Sequence, residues 1–314
     1  MSRRRYLFRR ERRWYSSPLY IFILLSLILS GLFVTQGYRR QEIQPLFMPT
    51  PTPTRIAGSY AREAETHFQA GNLDAAIASY EQAISIDPQN GRLYAELARI
   101  LTYSTESQTT AREKEERFKQ AYEAAQKAVE LAPEDSTAYA VLAFTLDWYA
   151  GFTTYILSDG KTGSNMLADA EQAVTRAITL DETNLLAQVY FAEIMIDVQR
   201  WDQAQSAIEN ALQRAPDLWE AHRVRGLFLE NQGYYLEAIK SFEEAVRLAP
   251  NMNFLYIKLG QSYRNMGLKT NSVEYYNRAI EYFAMAADRN EELGIKDPLP
   301  YLGIGRAYGQ LGEF

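Results

Sequence analysis

The tripeptide Gly160-Lys161-Thr162 has the residue types that close a phosphate-binding loop, in which a lysine and a hydroxyl follow a glycine to hold phosphate oxygens and magnesium. That chemistry also needs a glycine five residues earlier and a buried strand leading in. The position holds Tyr155 and no strand pattern precedes it, so the tripeptide reads as a turn. His67 and His222 are the only histidines, and both fall where a ring packs inside a helix. The carboxylate pairs Glu115-Glu116 and Glu243-Glu244 each lie beside basic residues and read as solvated helix faces. With no cysteine at all, thiol catalysis, cysteine metal sites and disulfides are excluded. No catalytic residue, metal site or cofactor is expected, and the chain reads as a non-enzyme.

The elements that would position such residues repeat. Ala204, Ala238 and Ser272 stand 34 residues apart, as do Ala211, Ala245 and Ala279, and so do Ala192, Gly226 and Gly260. Small residues in register let helix backbones approach, while Phe242 and Tyr276 fill the spaces between. A fixed period of this length means stacked helical hairpins rather than one globular core.

The pattern resembles the tetratricopeptide repeat. Its best copy runs from Ala57 to Asn90, with Tyr60, Ala64, Gly71, Leu73, Ala76, Tyr80, Ala83 and Pro88 at the signature offsets. Pro88, Pro133, Pro216 and Pro250 end second helices, because proline has no amide to donate. Glu182 takes that place in the third copy and predicts a softer exit turn. Gly71, Gly233 and Gly267 are expected in the turns within hairpins, where φ is positive. The resemblance implies an all-α, right-handed superhelical solenoid over 57–314, about six repeats plus a truncated seventh.

Two copies exceed the period. The insertion near 102–116 contains Thr110 and Glu113, a capping-box spacing that predicts a lengthened, charged second helix. The one near 151–165 carries Phe152, Tyr155, Ile156 and Leu157 ahead of Ser158-Asp159-Gly160-Lys161, and predicts an apolar loop packed on its own repeat. A long helix is expected from Asn271 to Asn290. The seventh copy shows Tyr301, Ile304, Gly305, Tyr308, Gly312 and Phe314 with no second helix, which predicts either further chain or another subunit over its apolar face.

The N-terminus differs in kind. Residues 1–17 form a basic leader holding seven arginines against Glu11, and the uncharged run from Leu19 to Thr35 sits within a helix expected over 18–38, long enough to cross a bilayer. The arginine excess before it favours a cytoplasmic N-terminus, placing the repeats outside the cytoplasm in a cell envelope. A cleaved signal peptide is the rival reading, though no small-x-small cleavage site precedes Arg39. Residues 39–56 form a linker whose Pro49-Thr50-Pro51-Thr52-Pro53-Thr54 run stiffens toward polyproline II. Residues 1–40 contain nine of the 33 basic and one of the 39 acidic residues, so 24 basic face 38 acidic residues in the remainder. Such a surface disfavours nucleic acid.

In the family, first helices line a concave groove that takes extended peptides or partner helices. The resemblance therefore assigns a partner-binding groove to Arg92, Arg99 and Tyr103 of the second copy, Phe144, Asp147 and Trp148 of the third, and Glu193 and Asp197 of the fourth. Arg223, Leu227, Glu230 and Asn231 follow in the fifth, and Gln261, Arg264 and Asn265 in the sixth. Ala61 and Glu65 stand where the family's carboxylate clamp needs lysine and asparagine, which argues against a chaperone-tail receptor. The expected function is a membrane-anchored protein-interaction scaffold. Two rivals are the docking part of a larger enzyme whose catalytic domain lies beyond residue 314, and a glycan receptor using Trp148 and Tyr103.

Overall fold

The computed structural model describes residues 17–40, 55–157 and 159–312. The basic leader, the Pro/Thr run, Ser158 and Phe314 lie outside the described residues. The chain forms two compact units, divided at Thr54 and Arg55. In the first, helix α1 (Pro18–Arg39) has 22 residues. At 1.5 Å per residue it spans about 33 Å, and its mean hydropathy of 2.2 over Pro18–Gly37 makes it long and apolar enough to cross a membrane.

Among its described residues the second unit contains helices joined by short turns and no strand. Six hairpins follow in order: α2 (Ala57–Gln69) with α3 (Leu73–Ile86), α4 (Gly91–Ser104) with α5 (Ala111–Leu131), and α6 (Ser136–Tyr155) with α7 (Gly160–Leu180). Then come α8 (Leu185–Asp197) with α9 (Trp201–Arg214), α10 (Trp219–Asn231) with α11 (Tyr235–Leu248), and α12 (Asn253–Thr270) with α13 (Val273–Leu293). Helix α14 (Leu299–Leu311) follows α13.

Small residues sit where the helices cross. Ala192, Ala204, Ala211, Ala238, Ala245 and Ala279 are all fully buried. A Cβ on Gly226 would stand 2.6 Å from the Phe242 ring, so only glycine lets α11 approach α10 this closely. Within the hairpins the backbone turns through positive φ at Gly71 and Gly233, and at Gln199, a side chain the sequence does not single out.

The sixth hairpin departs from the 34-residue register. Gly267 was expected in the turn, but it lies inside α12 against the Tyr276 ring, and Asn271 takes the left-handed turn four residues later. The second helix slips accordingly. Phe283, not Tyr276, packs on Gly260 as Phe242 packs on Gly226, and Ser272 becomes the N-cap of α13 rather than a helix-crossing residue.

The exit turn at Glu182 is not softer than the others. Asn184 N–H donates to the Asp181 carbonyl at 3.2 Å, matching the Asn90 to Asp87 and Asp135 to Ala132 closures at 3.3 and 3.0 Å. Asp181 Oδ1 also accepts from Thr183 N–H at 2.8 Å, a side-chain brace that does locally what proline does by covalent geometry.

Both insertions are absorbed by helices. Thr110 and Glu113 exchange reciprocal bonds of 3.1 and 3.0 Å at the start of α5, as the spacing predicts. The second insertion is not a packed apolar loop. It lengthens α6 and α7, and Asp159 caps α7 by accepting from Thr162 N–H at 3.0 Å, which makes Gly160-Lys161-Thr162 the first helical turn. Phe152 is buried against Phe118 and Tyr149. Tyr155, Ile156 and Leu157 stand exposed.

One contact joins the ends of the superhelix. Asn251, between α11 and α12, donates through Nδ2 to the Gln69 carbonyl at 2.9 Å, and a Cβ on Gly71 would overlap the Asn251 carbonyl. The first hairpin therefore touches the turn that opens the sixth.

Candidate functional site

The inward faces of the first helices meet at the axis, and there the winding of the superhelix decides which residues a ligand could reach. Tyr103 of α4 is fully buried among five rings. Its ring lies 5.4 Å from Phe254 of α12, 5.5 Å from Trp219 of α10, and 5.0, 5.6 and 6.2 Å from Phe144, Trp148 and Phe68. Phe144 is stacked on Tyr190 at 4.3 Å and is also buried. The sequence reading places Tyr103 and Phe144 in a ligand groove. The structure makes them a plug of the axis, because copies two and six come together there and exclude solvent.

Charged residues assigned to the groove are likewise spent on one another. Arg223 forms a bidentate pair with Glu193, its nitrogens donating to the two carboxylate oxygens at 2.7 and 2.5 Å. Trp148 Nε1 donates to the same carboxylate at 3.1 Å, and the guanidinium lies 5.5 Å from the Trp148 ring. Arg99, buried, reaches Glu96 at 2.9 Å, Glu220 at 3.5 Å and Glu65 at 3.8 Å. Such pairs survive burial only when every charge is matched.

Asp147 makes no ion pair among the described residues. It is buried, and its Oδ1, like Glu220 Oε2 and Arg223 Nε, has no hydrogen-bond partner. Burial and then the Asp197 charge push the Asp147 carboxyl well above the usual carboxylate range. Asp197 itself sits at the exposed end of α8.

A part of the groove remains open. A cavity of about 380 Å³ lies between the end of α6 and α12, bounded by Trp148, Glu193, Arg223, Leu227 and Gln261, all groove residues of the sequence reading. Phe254, Ile257 and Lys258 complete its wall, with Glu106, Lys114 and Phe118 from the region of the first insertion. Phe254 and Ile257 precede Gln261 by seven and four residues and so share its face of α12, yet the sequence reading does not assign them to the groove. Lys114 and Phe118 carry no repeat signal, since the insertion brings them in.

The remaining assigned residues do not join this cavity. Arg92 and Asn231 are exposed, and the Asn231 amide is bonded back to the Leu227 carbonyl at 3.0 Å. Glu230 accepts from Ser262 and Asn265, both at 3.1 Å, tying α10 to α12. Arg264 faces α14 instead. His67 and His222 are half-buried, and His222 Nε2 lies 2.8 Å from the Pro216 carbonyl. Glu115, Glu116 and Glu244 pair along their own helices with Lys119, Arg112 and Arg247, while Glu243 accepts from Tyr263 at 2.7 Å.

Stacked helical hairpins, small-residue crossings and a concave face with a residual cavity define a helical-repeat interaction protein. The particular repeat follows from comparison: residues 64–101, 196–253 and 255–284 each match a tetratricopeptide-repeat family model, and the chain is a tetratricopeptide-repeat protein. The fold resembles the thermophilic TPR protein TTC0263 of Thermus thermophilus, with a TM-score of 0.52 at 18% identity over 66% of this chain and 98% of that one. It also resembles human IFIT1, solved as a dimer with m7Gppp-AAAA, with a TM-score of 0.56 at 16% identity over 84% of this chain and 70% of that one. At these identities the likeness is one of fold. No curated protein matches the sequence. Repeats of this family typically serve as non-catalytic scaffolds for protein interaction.

Proposed function

We propose that the protein is a membrane-anchored scaffold, held by α1 with its basic N-terminus in the cytoplasm and its repeats, from residue 57 onward, outside it. The cavity between α6 and α12 receives an apolar anchor of an extended partner segment. The observation that carries this reading is the cavity itself: about 380 Å³ walled by Trp148, Leu227 and Phe254, with Glu106, Lys114 and Lys258 around it. An apolar wall fringed by charges of both signs suits one or two bulky side chains of a peptide whose flanks are polar. Because Tyr103 and Phe144 plug the axis, the ligand engages this side of the superhelix and does not thread along it.

A photo-crosslinking residue placed at Gln261 in the full chain, in its own membrane, should give a discrete adduct. The same residue at exposed Lys240 on α11 should not, and Leu227→Glu should abolish the Gln261 adduct. Equal adducts at both positions, or none at Gln261, would sink the cavity as the binding site.

Topology has a separate check, made easy by the absence of cysteine. A Lys240→Cys variant should react with a membrane-impermeant maleimide in intact cells. Labelling only after permeabilisation would reverse the orientation.

A further inference from the structure

A second, smaller cavity of about 50 Å³ lies where the first hairpin meets the sixth, and its chemistry differs from that of the larger one. Its charged walls are Asp74 at the start of α3, Glu106 just after α4 and Asp297 ahead of α14, and no lysine, arginine or histidine lines it. Among the described residues only Asp74 of the three has an ion pair, with Arg117 at 3.7 Å. Asp297 is 4% exposed, and Leu299 N–H donates to its Oδ1 at 2.9 Å. Burial and the Glu106 charge push the Asp297 carboxyl above the usual carboxylate range, while Lys114, in the wall of the larger cavity, acts the other way. Among the described residues no group of three such side chains is placed to hold a metal ion.

Two amides in the same wall are incompletely used. Asn253 Nδ2 donates to Asn290 Oδ1 at 2.6 Å, which leaves Asn253 Oδ1 and Asn290 Nδ2 without partners although Asn290 is 3% exposed. Turning both amides over exchanges the atoms and leaves the same remainder, one carbonyl oxygen and one NH2. Buried amides are ordinarily satisfied, so the free carbonyl marks the place of a donor. The rest of the wall is apolar, with Leu73, Met252, Phe254, Leu293 and Ile295. Carboxylates without a base, a free carbonyl and an apolar sleeve suit a methylene stem that ends in an ammonium, and the small volume favours that compact group over a planar guanidinium. Glu106, Phe254 and Ile257 border both cavities.

We propose that the smaller cavity takes a lysine side chain of the same partner segment whose apolar residue fills the larger one, the two side chains straddling the wall of Phe254 and Ile257. The inference rests on the larger cavity being the partner site, and it adds the charge that the partner must carry. An ammonium seated there is shared between the first hairpin, through Asp74, and the segment after the sixth, through Asp297.

The probe is n-butylammonium, which is the lysine side chain without its backbone. In saturation-transfer NMR on the full chain in detergent micelles it should bind saturably, with affinity at least about tenfold above that of 1-butanol and falling by a similar factor in Asp297→Asn. Asp297→Asn keeps an acceptor for Leu299 N–H and should leave the urea midpoint unchanged, so its effect reads on the charge. Glu106→Gln should weaken binding in the same sense. With the photo-crosslinker at Gln261, the adduct should fall in both variants, and the crosslinked segment should contain a lysine close to its apolar residue. Equal binding of butylammonium and 1-butanol, or binding indifferent to both substitutions, would overturn the proposal. A Gln261 adduct that survives both substitutions, or whose segment has no lysine, would overturn it while leaving the larger cavity as the partner site, whereas loss of that adduct in the unaltered chain would remove both readings.

Discussion

Replacing Arg223 with alanine should destabilise the repeat unit by about 3–5 kcal/mol, read from the midpoint of urea unfolding followed by helical circular dichroism. Arg223 and Glu193 are both nearly inaccessible, and each satisfies the other through two short bonds. Removing the guanidinium leaves Glu193 buried with only Trp148 Nε1 as donor, close to the buried Asp147 carboxyl. The cost comes from that stranded charge more than from a lost attraction. A double variant, Arg223→Met with Glu193→Leu, removes both charges and should recover most of the loss, because apolar pairs of similar volume often replace buried ion pairs without penalty. A loss under about 1 kcal/mol for Arg223→Ala would mean that water reaches the pair.

Phe283→Ala should cost about 3–5 kcal/mol, the range for deleting a buried phenylalanine ring. The ring is 1% exposed and lies under two glycines, one on each neighbouring helix: a Cβ on Gly260 of α12 would stand 2.9 Å from it and one on Gly303 of α14 would stand 2.6 Å from it. Neither glycine has a side chain to extend into the space the ring leaves, so the two backbones nearest it cannot fill the gap and the cavity penalty is substantial. The loss should also be directional. Hydrogen exchange over Leu299–Leu311 should quicken, while that over Leu73–Ile86 should keep its wild-type order of protection. Uniform acceleration across the unit would show that α14 is not held chiefly by this ring.

The hairpins were legible in the sequence because each imposes a local demand that recurs: an alanine where helices cross, a breaker where they end. The same local logic missed what depends on accumulated geometry. No offset within a repeat reveals that Tyr103 will meet Phe254, since that meeting is set by the rotation summed over four hairpins. The groove assigned by resemblance therefore includes Trp148, Arg223, Leu227 and Gln261, which border the cavity, together with Tyr103, Phe144 and Arg99, which are buried at the axis. In the sixth copy, counting by 34 failed for a backbone reason. The turn that Gly267 advertises is taken by Asn271, and Phe283 inherits the place that arithmetic gave to Tyr276. The loop expected at the second insertion was a misreading of period, because Asp159 starts a helix that the apolar residues before it had seemed to interrupt.

A stack of repeats is ordinarily an open polymer in which each unit feels only its neighbours, so its ends fray and its middle does not notice. The bond from Asn251 to the Gln69 carbonyl joins residues 182 apart and gives this stack a clasp. Arg289 holds the Asn251 amide oxygen from the far side at 3.2 Å, which ties the sixth hairpin to both halves of the clasp. With the clasp shut, opening the first hairpin also breaks this long-range bond, which adds about 1 kcal/mol to a local opening that an open stack would not meet. The repeats thus act less as a spring than as a split ring, in which a change of pitch at α12 must also be felt at α2.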